Sequence, residues 1–259
     1  MKKLIELCSL DHREHLSISY DDSLHFGANQ HWFEKDIQIN GGCGPICAYN
    51  AINYIEKTQD IKPILHKQVN ENLDYVYGLI HPMEILKVIP TKLRKNKSIP
   101  LTLGVPNLRR FSNKFIRGFK NDPIKFGITK YVLNRKGRDI HKVIDFIKNE
   151  LENEHPVCFL NTFTKSTLFI DPIVDLKTSL NINAVQYEEE LMSFRKYTFM
   201  THWVLITGVY QTEDTDSYYV ECSSWGQICY FRLNDFIEKQ KCLSRIYPSG
   251  MLSIRIVSN

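Results

Sequence analysis

No run of about 18 consecutive apolar residues occurs in this 259-residue chain, so no segment is expected to cross a membrane as a helix. A secretory leader is not expected either. The opening from Met1 to His15 is basic at Lys2 and Lys3, but its apolar stretch is short, is interrupted by Glu6 and has no small-residue cleavage pattern. Cysteine gives no disulfide framework: the seven residues (8, 43, 47, 158, 222, 229, 242) are odd in number and irregular in spacing. Free thiols in a reducing, cytoplasmic setting are the expectation. There is no internal repeat, no low-complexity tract and no recognised nucleic-acid motif.

Metal-ligand spacing is also wanting. Cys43 and Cys47, with Cys222 and Cys229, loosely resemble paired zinc ligands. Yet Cys47 falls within an apolar helical pattern and Cys229 between Ile228 and Tyr230 of a strand, so both read as core. His81, His141 and His155 sit near helix ends or strand starts with no second ligand at a suitable spacing, and read as surface or capping residues. No metal and no cofactor are expected.

What remains is an ordinary globular composition, 43% hydrophobic and 24% charged. The length suits one domain of two lobes, helix-rich over about 1–155 and strand-rich over about 156–259. Helical periodicity is expected from Pro45 to about Lys57, between Leu79 and Ile89, and over Ile140–Leu151, the last capped by Asp139. Buried strands are expected over Pro156–Asn161, from His202, from Tyr218, over Ile228–Leu233 and over Met251–Val257. Segregated helices and strands imply an α+β fold with a twisted antiparallel sheet.

Charge is uneven. Residues 91–137 hold thirteen Lys/Arg against one acid, Asp122, in a chain of net charge +4. Phe111, Phe115, Phe119 and Phe126 interleave with these bases. One reading is a basic surface that steers an acidic partner. The favoured one is a pair of amphipathic helices with phenylalanines inward and lysines in water. Nucleic acid is disfavoured as a partner.

The chemistry-bearing pattern is a cysteine and a distant histidine. Cys43 follows Gly41-Gly42 and precedes Gly44-Pro45 and an apolar helical pattern. A helix N-terminus offers free N–H groups and the positive end of the macrodipole, both of which favour thiolate. His202 opens a buried-strand pattern about 160 residues later. A β-hairpin then carries Ser223-Ser224-Trp225-Gly226 back beside it. A thiol nucleophile with its general base is the constellation these residue types suggest.

The order of Cys43-Gly44-Pro45 at a helix start, His202 at a strand start and Ser223-Ser224-Trp225-Gly226 at the end of the next strand resembles the papain superfamily of cysteine peptidases. The Cys-Gly-Pro form looks most like the bacterial branch related to leader peptidases of bacteriocin exporters. The likeness spans roughly residues 30–57 and 201–236. It implies a papain-like fold with a helical lobe carrying Cys43 against a sheet carrying His202. It also implies Gln38 as the oxyanion-hole amide, with Gln30 the alternative, and Trp225 as a shield over the histidine. In the place of the usual Asn or Asp stands Ser223; Glu221, two residues earlier on the same strand face, competes to orient His202. The implied activity is hydrolysis of a peptide or small amide through a Cys43 thioester. Acyl transfer by the same pair, or a non-catalytic binding module on the same scaffold, are the alternatives.

Overall fold

The computed structural model describes residues 2–61, 63–65, 67–80, 108–120, 124–133, 139–161, 166–171, 185–199, 201–214, 216–239 and 249–257. Among them are seven helices: α1 (Asp36–Gly41), α2 (Cys43–Thr58), α3 (Val69–Ile80), α4 (Leu108–Gly118), α5 (Ile140–Leu151), α6 (Glu188–Ser193) and α7 (Leu233–Lys239). The strands are β1 (Leu4–Ser9), β2 (Ser17–Tyr20), β3 (Ser23–Phe26), β4 (Lys125–Val132), β5 (Val157–Asn161) and β6 (Ser166–Ile170). They continue as β7 (Arg195–Phe199), β8 (His202–Thr212), β9 (Tyr218–Ser224), β10 (Gln227–Arg232) and β11 (Gly250–Val257). Short 3₁₀ turns cover Arg13–Leu16 and Gln30–Trp32.

Mixed helix and sheet, with a large antiparallel sheet, is the architecture. The strand order is β4-β11-β5-β8-β9-β10-β6-β7. β8 organises it: β5 pairs with residues 202–206 and β1 with residues 208–212, so the two lie end to end along one edge while β9 takes the other. A register shift between Ile206 and Gly208 marks the change of partner. The near-continuous apolar character of β5, β8 and β9 follows from helices on both faces. Neighbouring β5 residues point opposite ways: the Cys158 thiol approaches the Cys47 carbonyl of α2 (3.9 Å), whereas the Phe159 ring meets Phe236 of α7 (4.7 Å).

Helix α2 runs slightly beyond its expected limits, with Pro45 in the first turn where its missing N–H leaves no intrahelical bond unmade. The Asp139 side chain accepts from the His141 N–H (3.1 Å) and caps α5 as expected. The expected segregation is incomplete. β1 joins β8 and β4 joins β11, so two strands from the expected helix-rich lobe complete the sheet. The polar alternation of β1 masked it as an irregular opening. Helix α3 lies before the anticipated Leu79–Ile89 pattern, of which residues 81–89 fall outside the described residues.

In the basic segment, residues 108–120 and 124–133 are described. Phe111, Phe115, Phe119 and Phe126 are all buried and pack ring on ring, while Asn113, Arg117 and Lys120 face water. This is the solvated-face arrangement, with one correction: Phe126 belongs to strand β4, not to a second helix. Among the described residues no helix is long and apolar enough to cross a membrane.

Candidate active site

Cys43 is the first residue of α2 and His202 the first residue of β8. Both line a narrow cleft with a volume of about 10 Å³, with Gln30, Asn50, Trp203, Ser223, Ser224 and Trp225 among its walls. The turn from α1 into α2 is tight. A Cβ on Gly42 would come within 2.5 Å of the Gln38 carbonyl and 2.6 Å of the Phe33 ring, whereas one on Gly41 would meet nothing within 4 Å. Of the two glycines before the cysteine, Gly42 is therefore the one that close approach requires.

Burial pushes the Cys43 thiol above the usual range, while main-chain N–H groups of Trp203, Gly44 and Cys43 act the other way. Burial also pulls His202 down to about 3. Burial thus favours the neutral form of both side chains.

The imidazole is held on two sides. Its Nε2 and the Ser224 Oγ share a hydrogen bond of 2.8 Å. The Trp225 indole stacks on its face, 4.5 Å between centroids and 19° from parallel, and Tyr197 meets that indole edge-on. Trp225 and Gly226 form the two-residue connection between β9 and β10, with Ser224 opposite Gln227. Both have positive φ (51° and 75°), the signature of a type I′ hairpin turn. Glycine accepts that conformation freely; tryptophan is strained there, at a cost of about 1–3 kcal/mol. The strain sits at the residue that covers the histidine.

Two expected site residues require correction. Gln38 lies on α1 and its side-chain amide donates to Asp74 Oδ1 of α3 (2.8 Å), outside the cleft walls. Gln30, in the 3₁₀ turn that the Asn29 side chain caps, lines the cleft instead. Ser223 reaches the cleft wall, but its hydroxyl donates to the Phe26 carbonyl (2.7 Å) and accepts from Asn50 Nδ2 (3.3 Å). It braces β9 against α2 and does not hold His202. The reason is strand parity. β8 and β9 pair with Leu205 opposite Ser223, which places His202, Val204 and Ser224 on one face and Trp203, Leu205 and Ser223 on the other.

Glu221 shares the face of Ser223, as the period of two demands, and that face is the wrong one for His202. Its fully buried carboxylate accepts from Arg13, Thr207, Tyr210 and Tyr230 at 2.8–3.2 Å. Three hydroxyls and a guanidinium make it a structural anchor that fastens the N-terminal turn to the sheet. Asn50, one helical face along from Cys43 and Cys47, was not anticipated. Its Oδ1 accepts from the Ala28 N–H (2.8 Å), which fixes the loop after β3 beside the cleft. Polar spacing on an apolar helix was the available signal. Cys47 is buried one turn along α2 and lines the same cleft.

No protein-family profile matches this chain, and no curated protein sequence matches it significantly.

Proposed function

We propose that the chain is a thiol hydrolase of the papain-like type, cleaving a peptide or small amide bond through Cys43 with His202 as general base. One observation carries this reading: the first residue of α2 and the first residue of β8, about 160 positions apart in sequence, line the same small cleft with Ser224, Trp225 and Gln30 around them.

The chemistry follows from those positions. The Cys43 proton passes to His202, and Sγ attacks the substrate carbonyl carbon. The charge on the tetrahedral oxygen is met by main-chain N–H groups at the start of α2, with the Gln30 amide as the side-chain donor. The C–N bond breaks, the imidazolium returns its proton to the leaving amine, and a thioester remains. Water, deprotonated by His202, attacks that thioester and releases the acid and the free thiol. Ser224 orients the ring throughout. A hydroxyl carries no charge to stabilise imidazolium, so the ion pair here is weaker than one backed by a carboxylate.

That feature favours a second reading, a binding module that has lost turnover, because burial disfavours charge on both groups. A thiol-directed activity probe separates the two. Hydrolase chemistry requires Cys43 to be modified ahead of Cys8, whose thiol burial pushes up to about 12, with the site located by mass spectrometry. It also requires His202→Ala to suppress that modification. Labelling of Cys43 that is no faster than Cys8 and indifferent to His202 supports the binding module.

A further inference from the structure

The N-terminal 3₁₀ turn presents a second cluster of chemistry-bearing side chains. In such a turn residues i and i+3 eclipse. Arg13 and Leu16 accordingly point inward, to Glu221 and to the core, while His12 and His15 stack outward with centroids 5.1 Å apart and rings 18° from parallel. Glu14 stands between them. We propose that His12, Glu14 and His15 form a three-ligand site for a divalent cation of the zinc class, with its remaining position open to water.

Geometry supports it first. A tetrahedral ion with bonds of about 2.0–2.2 Å sets its ligand atoms about 3.3–3.6 Å apart. Here Glu14 Oε1 lies 3.4 Å from His12 Nδ1 and 3.9 Å from His15 Nε2, and one ligand atom from each of the three residues falls within 4.8 Å of the others. Closing the set requires the exposed His12 ring to turn out of its stack on His15, so that both in-plane lone pairs converge on the ion. Two imidazoles and one carboxylate suit a borderline ion better than magnesium or calcium, which prefer oxygen donors.

The second, independent observation is the support behind His15. Its Nδ1 lies 3.0 Å from Thr58 Oγ1, a bond that orients the ring with Nε2 towards Glu14. The His15 carbonyl accepts from Asn53 Nδ2 (3.1 Å) and Lys57 Nζ (2.9 Å), so the turn is nailed to the last two turns of α2. The ligand is therefore oriented before any ion arrives. His12 and Glu14 are more than half exposed, which leaves an entry path. Cys43 begins α2 and Thr58 ends it, so the ion would sit roughly 22 Å from the thiol at 1.5 Å per residue. It would staple the turn to the helix and take no part in thiol chemistry.

Zinc uptake by the purified full chain tests this, by competition against a chromogenic chelator and by the visible spectrum with cobalt(II). One equivalent is expected, with no thiolate charge-transfer band and with unchanged uptake in Cys43→Ala. His12→Ala, Glu14→Gln and His15→Ala should each weaken binding by about tenfold or more, and Thr58→Val by about 10–100-fold through loss of ligand orientation. Circular dichroism checks folding; His12 and Glu14 are exposed, so their variants remain informative if His15→Ala fails to fold. The proposal is overturned by absence of stoichiometric uptake. It is equally overturned by uptake that survives the His12, Glu14 and His15 substitutions or disappears in Cys43→Ala.

Discussion

Two adjacent serines on β9 do different jobs because a strand turns successive side chains to opposite faces. Ser224 reaches the His202 ring, whereas Ser223 ties the Phe26 carbonyl to the Asn50 amide. Substitution should separate the two roles. Ser224→Ala is expected to slow probe modification of Cys43 in the folded protein, beyond any loss of stability from taking away the buried His202 bond. Ser223→Ala should leave buried polar partners unpaired, destabilising the fold by about 1–3 kcal/mol, with the labelling rate of the folded protein nearly unchanged. Measuring both quantities in both variants decides it; the opposite pattern would return the orienting role to Ser223. The Ser-Ser-Trp-Gly run was visible in the sequence, but choosing between its serines needed the β8–β9 register, and a one-residue slip exchanges the faces.

At the scale of elements, the site depends on how α1 hands over to α2. Gly42 is pressed against the Gln38 carbonyl and the Phe33 ring, while Gly41 has open space. Gly41→Ala should be tolerated or stabilising by about 0.5–1 kcal/mol, since alanine loses less entropy in a helix than glycine does. Gly42→Ala should force the junction apart, lowering both the melting temperature and the Cys43 labelling rate. Equal behaviour of the two variants would show that the junction does not position the cysteine. The helix itself was legible from Pro45 and the apolar spacing after it. The 3₁₀ turn at Gln30 is not, because three residues of irregular chain carry no period; the resemblance implies Gln38, five residues before Cys43, with Gln30 as the alternative.

At the scale of the whole molecule, burying His202 links the site to stability. Its unfolded-state imidazole takes a proton near the ordinary value of about 6.5, whereas in the fold burial lowers this to about 3. The unfolded chain thus binds the extra proton as pH falls between those values, and stability conferred by the neutral ring is lost over that window. The contribution is about 2 kcal/mol between pH 7 and pH 5, at about 1.4 kcal/mol per pH unit below the unfolded value. Urea midpoints at the two pH values, compared between wild type and His202→Gln, isolate it from other titrating groups. A drop of the same size in both proteins would mean that the ring is solvated in solution.

The sequence by itself determined the α+β class, the span of α2, the Asp139 cap, the C-terminal strands and the inward turn of the phenylalanines in the basic segment. All of these follow from local periodicity, capping chemistry and the free energy of apolar burial. Tertiary structure alone decided which strands β8 and β11 recruit. β1 and β4 come from the expected helix-rich lobe and are half polar, so their place depends on partners more than 100 residues away. It alone placed Glu221 among Arg13, Tyr210, Tyr230 and Thr207 and away from the histidine. It also brought His12, Glu14 and His15 onto one side of a single turn. Each is a matter of register or of rotation about a short turn. A linear pattern does not encode these, because one residue of shift leaves the composition unchanged and reverses every side chain.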